Sequence, residues 1–185
     1  AVLESADPYA GGKGAQTTIV EALESAQDTI AERFHGEADI ETVVRHTLAK
    51  TYLHIGRFED AESELQAALE LCSTELDESD PLIARVVNEF GRVYQLSGRL
   101  DEAEAMFRRA VSIFERVDQG PDGLWSAVLN NLGELMRSQG RLEEAEAMLR
   151  AALEMKMTLF GAVHEDVTPT CLLYTSPSPR DSIAS

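Results

Sequence analysis

The sequence predicts an all-α protein, an antiparallel helix-pair solenoid with a leading cap helix. A seven-residue phrase occurs three times, as Gly56-Arg57-Phe58-Glu59-Asp60-Ala61-Glu62, Gly98-Arg99-Leu100-Asp101-Glu102-Ala103-Glu104 and Gly140-Arg141-Leu142-Glu143-Glu144-Ala145-Glu146. Its glycines stand 42 residues apart each time, and a fixed period of this size marks a stacked repeat architecture. Each phrase lies between two stretches with apolar residues at three- and four-residue spacing, the signature of amphipathic helices. Around Gly98 these are Val86, Val87, Phe90, Val93 and Tyr94 before, and Leu100, Ala103, Phe107, Ala110, Ile113 and Phe114 after.

The phrase itself reads as a helix stop followed by a helix start. Glycine ends the first helix, because a left-handed residue is cheap only without a Cβ. The paired acids that follow fall in the first turn of the second helix, where the helix dipole favours negative charge. The alanines at 61, 103 and 145 read as small packing residues that let the two helices of a pair approach.

In chain order, residues 1–16 form a linker. Its Gly11-Gly12-Lys13-Gly14 lacks phosphate-loop spacing and follows no strand. Residues 17–37 form the leading cap helix, a degenerate repeat. Thr18 and Glu21 make a capping box, and Ile19, Leu23, Ala26, Ile30 and Phe34 make one apolar stripe. Terminal repeats of stacked arrays act as such caps. Three full repeats follow at 38–79, 80–121 and 122–163. Asp80 as N-cap with Pro81 at the first helical position is a strong helix start. Trp125, opening the third pair, reads as a packing residue against the previous helix. Residues 164–170 open a truncated fourth repeat. Residues 171–185 back-translate to a string resembling a transposase-type sequencing adaptor, so they read as a non-native tail and Cys171 carries no weight.

The residues of the three units carry a family likeness. The second gives Phe90-Gly91-x-x-Tyr94, Gly98, Ala103, Phe107 and Ala110; the first gives Leu48-Ala49-x-x-Tyr52, Gly56, Ala61, Leu65 and Ala68. The third gives Leu132-Gly133-x-x-Met136, Gly140, Ala145, Leu149 and Ala152. This resembles the tetratricopeptide repeat (TPR), in the 42-residue variant known from kinesin light chains and many bacterial proteins. The resemblance implies a right-handed superhelix whose first helices line a concave groove for an extended peptide or partner helix. The family's groove positions fall on His46, Lys50 and His54; on Arg85, Asn88, Arg92 and Gln95; and on Asn130, Asn131, Glu134 and Arg137. Asparagine can pair with a peptide backbone through donor and acceptor, and arginine forks suit carboxylates. The set departs from the carboxylate clamp of chaperone-binding TPR proteins.

A second resemblance covers the start of the chain, from Leu3-Glu4-Ser5-Ala6-Asp7-Pro8 through Thr47-Leu48-Ala49-Lys50-Thr51-Tyr52. It is similar to the segment joining the membrane helix to the TPR array in bacterial receptor-type serine/threonine protein kinases. No kinase motif is present in this chain, so that resemblance implies a catalytic domain upstream.

Composition narrows the function further. The formal net charge is −17, which argues against nucleic acid or an anionic membrane as partner. No apolar run approaches the length of a membrane-spanning helix, and no signal peptide is visible. Cys72 and Cys171 are too few for a disulfide framework or a zinc site. His46 and His54 are two helical turns apart and lack metal-site spacing. No cofactor, metal or catalytic group is expected. The chain starts at Ala1, not Met, and reads as part of a longer protein, cytoplasmic by default and extracytoplasmic under the kinase resemblance. The expected function is protein–protein interaction through the groove, with a peptide or partner helix, acidic or C-terminal, as partner. The alternative is the regulatory or sensor region of a protein kinase.

Overall fold

The computed structural model describes residues 21, 23, 25, 27, 29, 30, 33, 34, 37–117, 120 and 122–161. The expected linker, the Thr18 end of the cap helix, the fourth-repeat start and the adaptor-like tail lie outside the described residues. All regular structure among the described residues is helical. Six helices follow in order: α1 (Ala38–His54), α2 (Phe58–Glu75), α3 (Pro81–Leu96), α4 (Leu100–Val117), α5 (Gly123–Ser138) and α6 (Leu142–Phe160). They pack as the pairs α1–α2, α3–α4 and α5–α6. Two compact units result, residues 1–76 and 77–185.

The first unit holds α1 and α2. Before them, residues 21, 23, 25, 27, 29, 30 and 33 are helical, and Ile30 is buried. Tyr52, Ala61, Leu65 and Ala68 are fully buried between the paired helices. The core also takes in charge. Arg45 donates to Glu41 at 2.7 Å and to Glu64 at 3.1 Å, and Gln27 Nε2 donates to Glu64 at 2.7 Å. Glu41 and Glu64 are both buried. Buried carboxylates are tolerated because a guanidinium and an amide satisfy them.

The second unit holds α3 to α6. Here α4 packs on α5 as well as on α3, so two pairs stack. Ala103 and Phe107 of α4 share one core cluster with Leu132, Leu135 and Met136 of α5 and Ala145 of α6. Ala145 thus clusters with the other helix of its own pair, while Ala103 also clusters with residues of the next pair. Within each pair, the intolerant position is a glycine. A Cβ on Gly91 would strike the Phe107 ring, and one on Gly133 would meet Leu149 at 2.8 Å.

Helix starts follow local chemistry. Asp80 accepts from the Leu82 N–H at 2.7 Å with Pro81 at the first helical position. Asp122, 42 residues on, accepts from the N–H groups of Leu124 and Trp125 at 2.7 and 3.0 Å. Trp125 stacks on Phe114 of the preceding helix, with ring centroids 5.8 Å apart and planes 7° from parallel. That is the packing role its position implies.

Candidate functional site

The first helix of each pair ends in the same turn, which fixes where its polar face begins. Gly56, Gly98 and Gly140 have φ of +77°, +82° and +77°. The next N–H reaches back to the carbonyl five residues earlier: Arg57 to Tyr52 at 2.9 Å, Arg99 to Tyr94 at 2.8 Å and Arg141 to Met136 at 3.0 Å. Each glycine N–H bonds one carbonyl further on, at Leu53, Gln95 and Arg137. This double bond pattern closes a helix end completely and needs a left-handed residue, hence glycine. Each arginine carbonyl then accepts the first bond of the following helix.

Eight of the expected groove residues lie on α3 and α5, in the second unit. Arg85, Asn88, Arg92 and Gln95 recur at helical spacing along α3; Asn130, Asn131, Glu134 and Arg137 do so along α5. One direct bond joins the two helices. Asn131 Nδ2 donates to Asn88 Oδ1 at 2.9 Å. Asn88 is buried, while Asn130 and Asn131 are half-buried. Arg85 is exposed and forms no ion pair among the described residues. Gln95 is half-buried.

Charge on this face is more balanced than the sequence suggests. Arg92 donates to both carboxylate oxygens of Glu89, at 2.8 and 3.2 Å. Glu89 is buried on the same helix and was not among the expected site residues. Its spacing three residues before Arg92 is the signal that finds it. Arg137 lies 4.0 Å from Glu134, with both side chains more than two-fifths exposed. On this face Arg92 and Arg137 each stand beside a glutamate, and Arg85 does not among the described residues.

The remaining three expected residues lie on α1, in the first unit. His46 is buried, Lys50 is exposed, and the exposed His54 donates from Nδ1 to the Lys50 carbonyl at 2.6 Å. His54 is thus tied back along its own helix through one ring nitrogen. Among the described residues no three metal-ligating side chains cluster, and no helix is long and apolar enough to cross a membrane.

Electrostatics concentrate instead at the turns. Hydrogen bonding from Arg99 lowers the Glu102 pKa, and bonding from Arg141 lowers that of Glu144. The hydroxyl and backbone N–H of Ser79 lower Asp77. Arg141 is pushed up in turn, by Glu144 first and Glu104 second. Glu104 accepts from Arg141 at 2.7 Å and from Arg108 at 2.8 Å, tying α4 to the start of α6.

A family model described as tetratricopeptide repeat matches residues 39–116 and, overlapping, residues 82–158. Solved structures share the fold. BtubC (BKLC) from P. vanneervenii is 25% identical with a TM-score of 0.68, over 84% of this chain and 60% of that one. The chain thus spans under two thirds of that relative's length. A putative kinesin light chain from Podosopora anserina with nearly identical TPR-like repeats is 19% identical, with a TM-score of 0.68 over 84% of this chain and 73% of its own. The N-terminal domain of stress-induced protein-1 (STI-1) from C. elegans is 16% identical, with a TM-score of 0.54 over 77% and 99%. No curated protein matches the sequence.

Proposed function

This chain belongs to the tetratricopeptide repeat family, and we propose that the face shared by α3 and α5 binds an extended peptide or partner helix with an acidic group opposite Arg85. Repeats of this family are protein-interaction scaffolds, typically non-catalytic. The observation that carries the finer reading is the Asn88–Asn131 bond, which sets two amides side by side across successive pairs. An amide offers two donors and an acceptor, and one bond uses only part of that capacity. A peptide main chain presents the matching acceptor and donor at every residue. Arg85, exposed and without an ion pair among the described residues at the N-terminal end of α3, adds a charge-assisted bond for a carboxylate. Arg92 supports the face indirectly, because Glu89 holds it. The overall charge of −17 repels acidic ligands from the rest of the surface and leaves this face as the favourable approach.

The test is a panel of fluorescein-labelled peptides, acidic, neutral and basic, titrated with the full chain at low and physiological salt. Acidic members should bind tightest, and salt should weaken them. Arg85→Glu should weaken the best binder tenfold or more, the effect of losing one charge-assisted bond. Preference for basic peptides through this face, or no effect of Arg85→Glu, would refute the assignment. The kinase-region reading rests on the N-terminal sequence likeness, which falls largely outside the described residues, and gains no support from the site.

A further inference from the structure

We propose that the second unit carries another docking groove, formed by the second helices α4 and α6 over α5, which takes a basic segment by one or two long apolar side chains. The groove measures about 570 Å³, within the range of real ligand sites. Its floor is apolar and adaptable: Val111 from α4, Leu132 and Met136 from α5, and Met148 from α6. Thioether side chains repack around different partners at low cost.

A departure from the repeat pattern opens this floor. The position held by Tyr52 and Tyr94 in the first two repeats is Met136 in the third. At the tyrosines the following arginine lies over the ring, Arg57 at 5.6 Å and Arg99 at 4.1 Å from the centroid. Arg141 keeps the pairing of its counterparts with the acid three residues on, as Arg57 does with Asp60 and Arg99 with Glu102, but it has no ring beneath it; it bonds Glu104 and Glu144, both at 2.7 Å. A residue that breaks a local rule is where function is first sought.

The rim selects the occupant. Arg108, Glu115, Glu143 and Glu144 line the rim, and Arg141 takes up Glu144, so Glu115 and Glu143 are the acids in excess there. Arg108 is already engaged by Glu104 at 2.8 Å and lies 3.8 Å from Glu144. Glu115 is exposed. The field at the mouth is therefore negative within a protein of charge −17, and lysine or arginine beside an apolar anchor is the complementary chemistry. The site shares no residue with the α3/α5 face, so it stands or falls separately.

The probe is a synthetic lysine peptide with two leucines four residues apart, titrated into the full chain carrying methyl-labelled methionine. Signals of Met136 and Met148 should shift and saturate, while those of Met155 and Met157 stay in place. The same peptide with serine for both leucines should bind at least tenfold more weakly. Glu115→Lys should weaken the leucine peptide about tenfold. Ala147→Trp, which fills the groove from an exposed position, should abolish the Met148 shift while helix content by circular dichroism is unchanged. Equal shifts at all methionines, no shift at Met136 and Met148, or equal binding of the serine peptide would overturn the proposal and leave only diffuse attraction of cations to an acidic chain.

Discussion

Arg99 lies over the ring of Tyr94, 4.1 Å from its centroid, while its Nε donates to Glu102 at 3.1 Å. The two residues flank the left-handed Gly98, and the Arg99 N–H bonds the Tyr94 carbonyl. The helix end is thus closed twice, by backbone and by side chain. Arg57 repeats the arrangement over Tyr52. An apolar contact commonly spans these two positions of the turn; here a cation over an aromatic face replaces it.

Replacing Arg99 with Gln should therefore cost about 0.5–1 kcal/mol, the size of an exposed cation–π contact. Urea unfolding measures it, with Arg109→Gln as an exposed control expected near zero. Equal midpoints for the two variants would mean the stacked pair adds nothing.

Gly91 and Phe107 form a matched pair. Alanine is the better helix former by about 1 kcal/mol, yet its Cβ would strike a ring with no exposed surface. Overpacking of this kind costs about 1–3 kcal/mol, so the clash should win and Gly91→Ala should destabilise. The first repeat has Ala49 and Leu65 at the equivalent places. Combining Gly91→Ala with Phe107→Leu should accordingly cost less than the two single changes added, by at least about 0.5 kcal/mol. Strict additivity would show that the ring does not contact the glycine as described.

These pairs show what is legible in sequence. The period, the turn glycines, the Asp80 cap and the all-helical fold follow from local rules, because each depends on residues within one turn of one another. The Asp122 cap was as readable as Asp80, since the same residue recurs 42 positions on. Partners distant in sequence were not readable. Glu104 looks like a solvated member of the repeated phrase, but it holds Arg141 from 37 residues away. Glu89 was hidden because the family's groove positions draw attention to Arg92 and not to the acid that occupies it. The buried Glu41–Arg45–Glu64 cluster escaped for a similar reason. An acidic residue in a first turn is ordinarily a dipole feature, and only packing brings Glu64 to Arg45.

Acid should loosen the turns. Glu102 and Glu144 have folded pKa values below the ordinary glutamate value of 4.5. The unfolded chain then binds more protons in that range, so stability is full above the unfolded pKa and is lost as pH falls through the folded one. Thermal unfolding between about pH 6 and 3 should show this decline. The Glu144→Gln variant should show a shallower one, and raised salt should flatten both because these carboxylates face solvent. An identical slope in the variant would exclude Glu144 from the acid response.

Peptide capture by the α3/α5 face is tested most directly by calorimetric titration of the best acidic peptide into the wild-type chain and into Asn130→Ala and Asn131→Ala. Each substitution removes amide donors and an acceptor from the face while leaving every arginine in place. Binding should weaken tenfold or more in both, about 1.4 kcal/mol each, at a temperature where both variants remain folded, since Asn131→Ala also strips the buried Asn88 of a bond and should cost about 1–3 kcal/mol of stability. Affinities within twofold of wild type in both variants would contradict the proposed site and place the peptide elsewhere on the protein.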